Sequence, residues 1–199
     1  QHTNGISFSV RRELNRFTTL GLVQDNLYVQ QQLQVLDRTI SPGTQDSIEA
    51  ETPSSYTTHK LQLYLDRDLR DNPINTTRGS EQVLTGTVAG GPLKGTSSFL
   101  KYGFQSRWFT PNRRGWVLGT RVQAGIIKPF GDSTGFTPGV DPEVARVPDE
   151  ERFRTGGVNS IRGYDESSIT PTGGLALILA NIEMRIPVKG PLGLEVYAG

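Results

Sequence analysis

One loop-like stretch of this 199-residue chain has an unusual order of residue types. Two glycines, Gly156 and Gly157, precede it, and the stretch itself is Ile161, Arg162, Gly163 and Tyr164. The guanidinium of an arginine is a planar fork of N–H donors that can bind a carboxylate through two hydrogen bonds at once. The order of residues does not by itself identify an acidic partner, so an arginine exposed to water is the alternative.

Other chemistry has little support in the composition. The chain has no cysteine and only two histidines, His2 and His59, which leaves no plausible metal cluster or histidine-based catalytic triad. No phosphate-binding glycine loop is present either. With 21 Lys and Arg against 20 Asp and Glu, the net charge of +1 gives no electrostatic support for nucleic-acid binding. The sequence therefore predicts a protein that is not an enzyme and that has no metal, no cofactor and no nucleic-acid partner.

The elements that must position the loop are predicted to be β-strands. Apolar and polar residues alternate most clearly at 98–109, where Tyr102 and Phe104 take one parity and Lys101 and Arg107 the other. The same alternation recurs in 60–66, 116–126, 174–186 and 192–198. It is weaker in 5–10, 16–35 and 80–90. The chain has no run of about eighteen apolar residues, so we expect no transmembrane helix.

Strand length and loop length favour a transmembrane β-barrel. About eight strands of roughly ten residues each would be long enough to cross a bilayer at a tilt. Short connections are expected at 11–15, 110–115 and 188–191, and long ones at about 37–55 and 128–172. Tight turns at one end and long loops at the other are typical of outer-membrane barrels, although the 91–96 connection is short. A soluble β-sandwich also alternates and is the alternative.

Three motifs resemble one family. RFRTGGVNSIRGYDE (152–166) resembles the sixth extracellular loop of the BamA-type outer-membrane protein assembly superfamily. LDRDLRDNPINTTRGS (65–80) is similar to a periplasmic turn of that superfamily, and 180–199 resembles the two strands after the loop. The three motifs occur in the family's order and cover most of the chain.

The resemblance implies an acidic partner for Arg162. In the family this loop folds back into the barrel lumen, and its arginine meets acidic residues on the inner wall. By position the partner here is Glu183, which the alternation independently places on the polar face. Gly163 would permit a tight backbone bend and Tyr164 would pack on the inner wall. The alternative for Glu183 is a solvated carboxylate paired with Arg185 or with a neighbouring strand.

The resemblance also implies the fold and the domain. We expect an all-β chain, an antiparallel transmembrane β-barrel of which about eight strands out of sixteen lie in residues 1–199. These would be approximately the sixth to thirteenth strands, with a long extracellular loop at about 128–172. The family's soluble periplasmic repeats are absent from the sequence. The expected location is a bacterial-type outer membrane.

The function implied is insertion and assembly of outer-membrane β-barrel proteins, without catalysis, in which the loop arginine locks into the lumen. Expected partners are the lipid bilayer, unfolded outer-membrane protein substrates and assembly-complex lipoproteins. A polypeptide-translocating transporter of the same superfamily, of the two-partner secretion or TamA-like kind, is one alternative. A soluble β-sandwich binding module is the other.

Overall fold

In the computed structural model, which describes residues 2–30, 55–131, 141–189 and 192–198, eight strands form one open antiparallel sheet. Each strand pairs with the next one along the chain, so the sheet order is the chain order. The strands are β1 (His2–Asn15), β2 (Thr18–Gln30), β3 (Ser55–Asp68), β4 (Gly79–Ala89), β5 (Phe99–Pro111), β6 (Val117–Pro129), β7 (Ala176–Lys189) and β8 (Leu192–Ala198). The all-β antiparallel fold predicted from the alternation is confirmed.

Connections of different length lie at the two ends of the sheet. The turn at 16–17, the turn at 112–116 and the connection 69–78 join strands at one end. Residues 90–98 and the long connection 130–175 lie at the other, and most of the expected 37–55 loop lies outside the described residues. The described part of the long connection contains a short α-helix, α1 (Pro142–Ala145). No described helix is long and apolar enough to cross a membrane.

The first turn lies further along the chain than the sequence indicated. A connection was expected at 11–15, but β1 continues to Asn15 and the turn is formed by Arg16 and Phe17. Arg11 and Glu13 still alternate with their neighbours, and their backbones pair with Gly21 and Thr19 of β2. Charged side chains at a strand end can reach water, so their charge does not end the strand.

The sheet has one polar face and one apolar face. Residues paired across antiparallel strands share a face, so the register carries the alternation from strand to strand. The inner face, defined as the face that contacts the 130–175 connection, carries Lys60, Lys101, Arg121, Asn181 and Glu183. The outer face carries exposed apolar side chains, among them Leu63, Leu84, Phe104, Ile178 and Ile182.

The buried core lies between the sheet and its own long connection. Four buried side chains form its centre, and two partly buried ones pack against it: Ala89, Phe99, Ile127 and Val147, with Phe153 and Leu175. Val147, Phe153 and Leu175 belong to the connection, whereas the others belong to β4, β5 and β6. The inner face is therefore covered by the connection, which positions the Arg162 motif.

Two neighbouring residues near the middle of β3 test the assignment of faces. Leu63 lies on the outer face and is 51% exposed, whereas Gln62 lies beside Lys60 and Tyr64 on the inner parity. We expect Leu63→Arg to destabilise the folded protein in lipid by about 2–4 kcal/mol, because an arginine would face hydrocarbon. Gln62→Arg should cost much less. Urea titration of the full-length protein in lipid vesicles measures both, and equal losses would show that the faces are assigned wrongly.

Candidate functional site

The loop before Arg162 is held on the inner face through its backbone. Arg121 Nη1 donates a hydrogen bond to the carbonyl of Asn159 at 2.5 Å, and Asn181 Nδ2 donates one to the carbonyl of Ser160 at 2.8 Å. Arg121 and Asn181 are direct cross-strand partners on β6 and β7. Arg121 and Asn181, neighbours on the inner face of the sheet (the inner wall), thus bind two consecutive loop carbonyls immediately before the motif.

Arg162 contacts the carboxylate that the resemblance indicated. Its Nη2 lies 3.3 Å from Oε2 of Glu183, and the two side chains are 34% and 17% exposed. Its guanidinium carbon lies 5.1 Å from the centre of the Tyr197 ring on β8, a cation–π distance. The contact is therefore partly shielded from water, a setting in which an ion pair is stronger than on an open surface.

Glu183 also contacts Arg185, the partner considered as the alternative. Arg185 Nε donates a hydrogen bond to Oε1, so the two carboxylate oxygens face different guanidinium groups. Gly119 stands directly opposite Glu183 on β6, and a Cβ there would lie 3.5 Å from the Phe109 ring and 3.8 Å from the Cβ of Glu183. Loss of Arg162 would leave Glu183 with a cation still in contact.

The space around these groups is a cavity rich in arginine. Its volume is about 240 Å³, and its lining includes Arg107, Arg121, Arg162 and Arg185. Arg107 is paired with Glu81, whose carboxylate also contacts Arg70. The lining combines these four arginines with apolar and aromatic side chains such as Phe109 and Ile182. It contains no arrangement that resembles a nucleophile with its base.

The two glycines before the motif shape the loop. Gly156 has φ +111°, and a Cβ there would lie 2.5 Å from the carbonyl oxygen of Asp165. Gly157 has φ +96°, but the atom its Cβ would meet belongs to the flexible side chain of Glu166. Gly163 has φ +94° with nothing within 4 Å of such a Cβ. All three backbones need glycine, and at Gly156 the neighbouring backbone also leaves no room.

Hydrogen bonds across the base of the loop keep it compact. Thr170 Oγ1 accepts from the backbone N–H of Thr155 at 2.8 Å, and Ile169 N donates to the carbonyl of Thr155 at 3.2 Å. Ser160 Oγ accepts from the N–H of Gly156 at 2.8 Å. These hydrogen bonds join the two sides of the loop on either side of the motif, and they restrict the movement of the backbone that carries Arg162.

Tyr164 lies differently from the position that the resemblance implied. Its side chain is 59% exposed, so most of the ring is open to solvent. The backbone has a positive φ at Gly163, and residues 163–166 are all exposed. Ile161 is half-buried.

A second set of contacts, upstream of the motif, was not predicted from the sequence. Glu151 is buried and contacts Lys60 of β3 and Lys101 of β5, with Nζ to carboxylate distances of 2.6 and 3.3 Å. Burial alone would raise the pKa of Glu151, but the two ammonium groups and their hydrogen bonds together hold its pKa below the ordinary value. The carboxylate is therefore charged at neutral pH, and protonation as the pH falls through that lowered pKa would remove the contacts.

The 69–78 connection is a tightly hydrogen-bonded turn. Asp71 accepts hydrogen bonds from the N–H groups of Asn72, Thr77 and Arg78 at 2.9–3.1 Å, and from the Thr77 hydroxyl at 2.5 Å. These bonds, that of the Thr77 hydroxyl foremost, lower the pKa of Asp71 to about 2. Asn72 Oδ1 accepts in turn from the N–H of Ile74. The Asp-Asn-Pro sequence thus acts through its side chains to fix the turn.

This turn also reaches the arginine site. The carbonyl of Thr76 accepts a hydrogen bond from Arg185 Nη1 at 3.4 Å, and Thr76 is buried. Arg185 in turn binds Glu183, the partner of Arg162. The turn, β7 and the long loop, which carry the three motifs singled out in the sequence, therefore meet around one carboxylate.

Comparison with known proteins identifies the family. The model of the Omp85 superfamily domain matches residues 1–198. The chain belongs to the Omp85 superfamily. Integral β-barrel proteins of the outer membrane make up this superfamily, and the chain is therefore located in the outer membrane. The soluble β-sandwich alternative is excluded, since all described strands form one sheet of an Omp85 domain.

Two individual proteins illustrate the similarity. The outer membrane protein assembly factor BamA of Nitratidesulfovibrio vulgaris is 28% identical over an alignment of 138 residues, and the match covers 65% of this chain and 16% of that protein. The crystal structure of BamA from Haemophilus ducreyi lacking POTRA domains 1–3 superposes with a TM-score of 0.68. It is 18% identical, and the match covers 94% of this chain and 37% of that one. The latter similarity shows the fold alone.

The glycines of this Omp85 loop provide a matched pair of substitutions. We expect Gly156→Ala to destabilise the loop more than Gly163→Ala does. Both place a side chain at positive φ, which costs of order 1–3 kcal/mol, but only Gly156→Ala also forces a Cβ against a backbone carbonyl. Hydrogen exchange of residues 155–170, followed by mass spectrometry, measures the opening of the loop. Equal exchange in the two variants would contradict the geometry at Gly156.

Proposed function

We propose that this Omp85 chain is the wall of a non-enzymatic outer-membrane protein assembly factor, in which the contact of Arg162 with Glu183 locks the long loop into the barrel lumen. The observation that carries the proposal is the 3.3 Å contact between these groups, at the point where the three family motifs meet. The similarity to the outer membrane protein assembly factor of N. vulgaris supports the assembly role.

The open sheet supports a place within a larger barrel. The outer edges of β1 and β8 do not pair with each other. Backbone N–H and C=O groups in hydrocarbon need hydrogen-bond partners, so both edges would pair with further strands when the sheet lies in lipid. In such a barrel the inner face of the described strands lines the lumen and the outer face contacts lipid.

The position of the loop favours assembly over translocation. Residues 141–175 cover the inner face of β3–β7, so they occupy space through which a translocated polypeptide would pass. A factor that acts at the barrel wall does not need a free lumen. Unfolded outer-membrane proteins would be its substrates, and the factor would act within the lipid bilayer. Contact with assembly-complex lipoproteins stays a prediction from the resemblance.

The lock is tested by Arg162→Ala in the full-length protein. Removing one partner of an ion pair costs about 0–1 kcal/mol at a surface and about 3–5 kcal/mol in a dry interior. The half-buried position, and the second cation on Glu183, place the expected loss at about 1–3 kcal/mol. The temperature at which the barrel loses its folded electrophoretic mobility should fall, and assembly of substrate barrels in reconstituted vesicles should slow.

Two further variants control for charge. Arg113→Ala removes an exposed arginine from the β5–β6 turn and should leave both measurements unchanged. Arg162→Lys keeps the charge but not the planar fork, so it should recover part of the stability. An Arg162→Ala protein with normal unfolding temperature and normal assembly would refute the lock. Intact assembly of substrate barrels with impaired export of a soluble polypeptide would instead favour the transporter alternative.

A further inference from the structure

The upstream part of the loop is held by a buried acid that the proposed lock does not use. Glu151 is 7% exposed. Its carboxylate lies between Lys60 on β3 and Lys101 on β5, and Lys101 Nζ also donates to the backbone carbonyl of Glu151 at 2.7 Å. Asp25 on β2 approaches the same Lys60 at 3.7 Å. Glu151 thus contacts lysines of two strands directly, and Lys60 links it to Asp25 on a third strand.

The residues on either side of Glu151 are also bound. Tyr56, buried on β3, donates its hydroxyl proton to the carboxylate of Glu150 at 2.6 to 2.7 Å. The side chain of Arg152 is fully buried, and it donates to the carbonyls of Val147 and Thr172 at 3.0 and 3.1 Å. Three consecutive residues therefore bind the wall, the beginning of the loop and its end.

An apolar contact completes this region. Phe153 lies against Gly125 of β6 so closely that a Cβ at Gly125 would be 2.3 Å from the Phe153 ring. Val147 is fully buried in the same cluster, and the backbone of Phe153 forms a β-bridge with Gly174 just before β7. The absence of a side chain at Gly125 is what lets the tip of the Phe153 ring approach the sheet this closely.

These contacts lie far from the Arg162 site. On β6, Ile127 stands opposite Lys101, whereas Arg121 binds the loop before Arg162. Six residues of strand separate Ile127 from Arg121, about 20 Å at roughly 3.3 Å per residue. The wall side chains that hold Glu150 and Glu151 are Tyr56, Lys60 and Lys101, and those at the arginine site are Arg121, Asn181 and Glu183.

We propose that the loop has a second anchor, separate from the arginine contact, in which Glu151 is the positioning residue. The Glu151 anchor, made of Glu150, Glu151 and Phe153 on their wall partners, holds the upstream half of the loop in the lumen near the long-loop end of the sheet. The arginine contact holds the downstream half near the other end. The loop leaves the lumen only when both anchors are lost.

The charges around Glu151 predict what its replacement does. Replacing Glu151 with glutamine keeps its shape but leaves two half-buried ammonium groups without their shared carboxylate, which is costlier than losing an exposed pair. Removing one of those ammonium groups as well should therefore restore part of the loss. A residue that only fills space would show no such rescue.

Hydrogen exchange of the full-length protein in detergent or lipid tests the proposal, because it reads the two halves of the loop separately. The upstream segment is 145–153, whose N–H groups at Val147, Glu151 and Phe153 are hydrogen-bonded, and the downstream segment is 155–163. Glu151→Gln should raise exchange about tenfold to a hundredfold in the upstream segment, with a much smaller change downstream. Arg162→Ala should show the reverse pattern.

Paired variants complete the test. Glu151→Gln combined with Lys60→Met should exchange more slowly upstream than Glu151→Gln alone, and Glu151→Gln with Arg162→Ala should expose both segments. Unchanged upstream exchange in Glu151→Gln, or equal exposure of both segments in Arg162→Ala, would overturn the separate anchor. Neither result depends on assembly activity, so the anchor can fail while the proposed function stands, and the reverse also holds.

A milder variant covers the case in which Glu151→Gln does not fold. Tyr56→Phe removes only the hydroxyl that binds Glu150. It should raise exchange at 149–151 severalfold and leave the downstream segment as in the unmodified protein. Tyr64→Phe, on the same strand and the same inner parity, is the matched control and should leave the upstream segment unchanged. Identical exchange in the two tyrosine variants would refute the anchor.

Discussion

A chain that lies in hydrocarbon has to pair its own backbone N–H and C=O groups, because no water is present to do so. The described strands meet this requirement through continuous antiparallel pairing from β1 to β8. Pairing of this kind places successive side chains on opposite faces, so one face can contact lipid while the other is polar. The apolar outer face, the charged inner face and the seat of the loop all follow from that pairing.

The polar inner face in turn requires partners for its charges. This face carries lysines, arginines and acids on several strands. The long loop supplies partners for them: Glu151 for two lysines, two backbone carbonyls for Arg121 and Asn181, and Arg162 for Glu183. The loop is therefore part of the interior of the domain. Its own core residues, Val147 and Phe153, pack on Ala89, Phe99 and Ile127 of the sheet.

How much the sequence revealed depended on the range of each interaction. The alternation in 98–109 and 174–186 predicted the faces of β5 and β7, since each residue reports its face by its own type. The pairing of Arg162 with Glu183 came from resemblance and from the parity of Glu183. The contacts of Glu151 were not predicted, because a Glu that follows other acids in a loop belongs to no periodic pattern and its partners lie 50 and 91 residues away.

Errors at the local level have equally physical causes. The first turn was placed too early because Arg11 and Glu13 look like turn residues, although they continue the pairing of β1 at a strand end open to water. The resemblance implied that Tyr164 packs on the inner face, but its side chain is 59% exposed. The residue before it, Gly163, has φ +94°, and a φ value is not visible in a sequence.

The recess at Gly125 has a consequence for how such domains diverge. The wall is shaped to its own loop: a larger residue at Gly125 would displace the ring of Phe153, and a smaller residue at Phe153 would leave a void over β6. Substitutions at these two positions are then acceptable mainly in concert. A loop transplanted from a distant homologue would fit only together with the strand residues that were inherited alongside it, so loop and wall form one evolutionary unit.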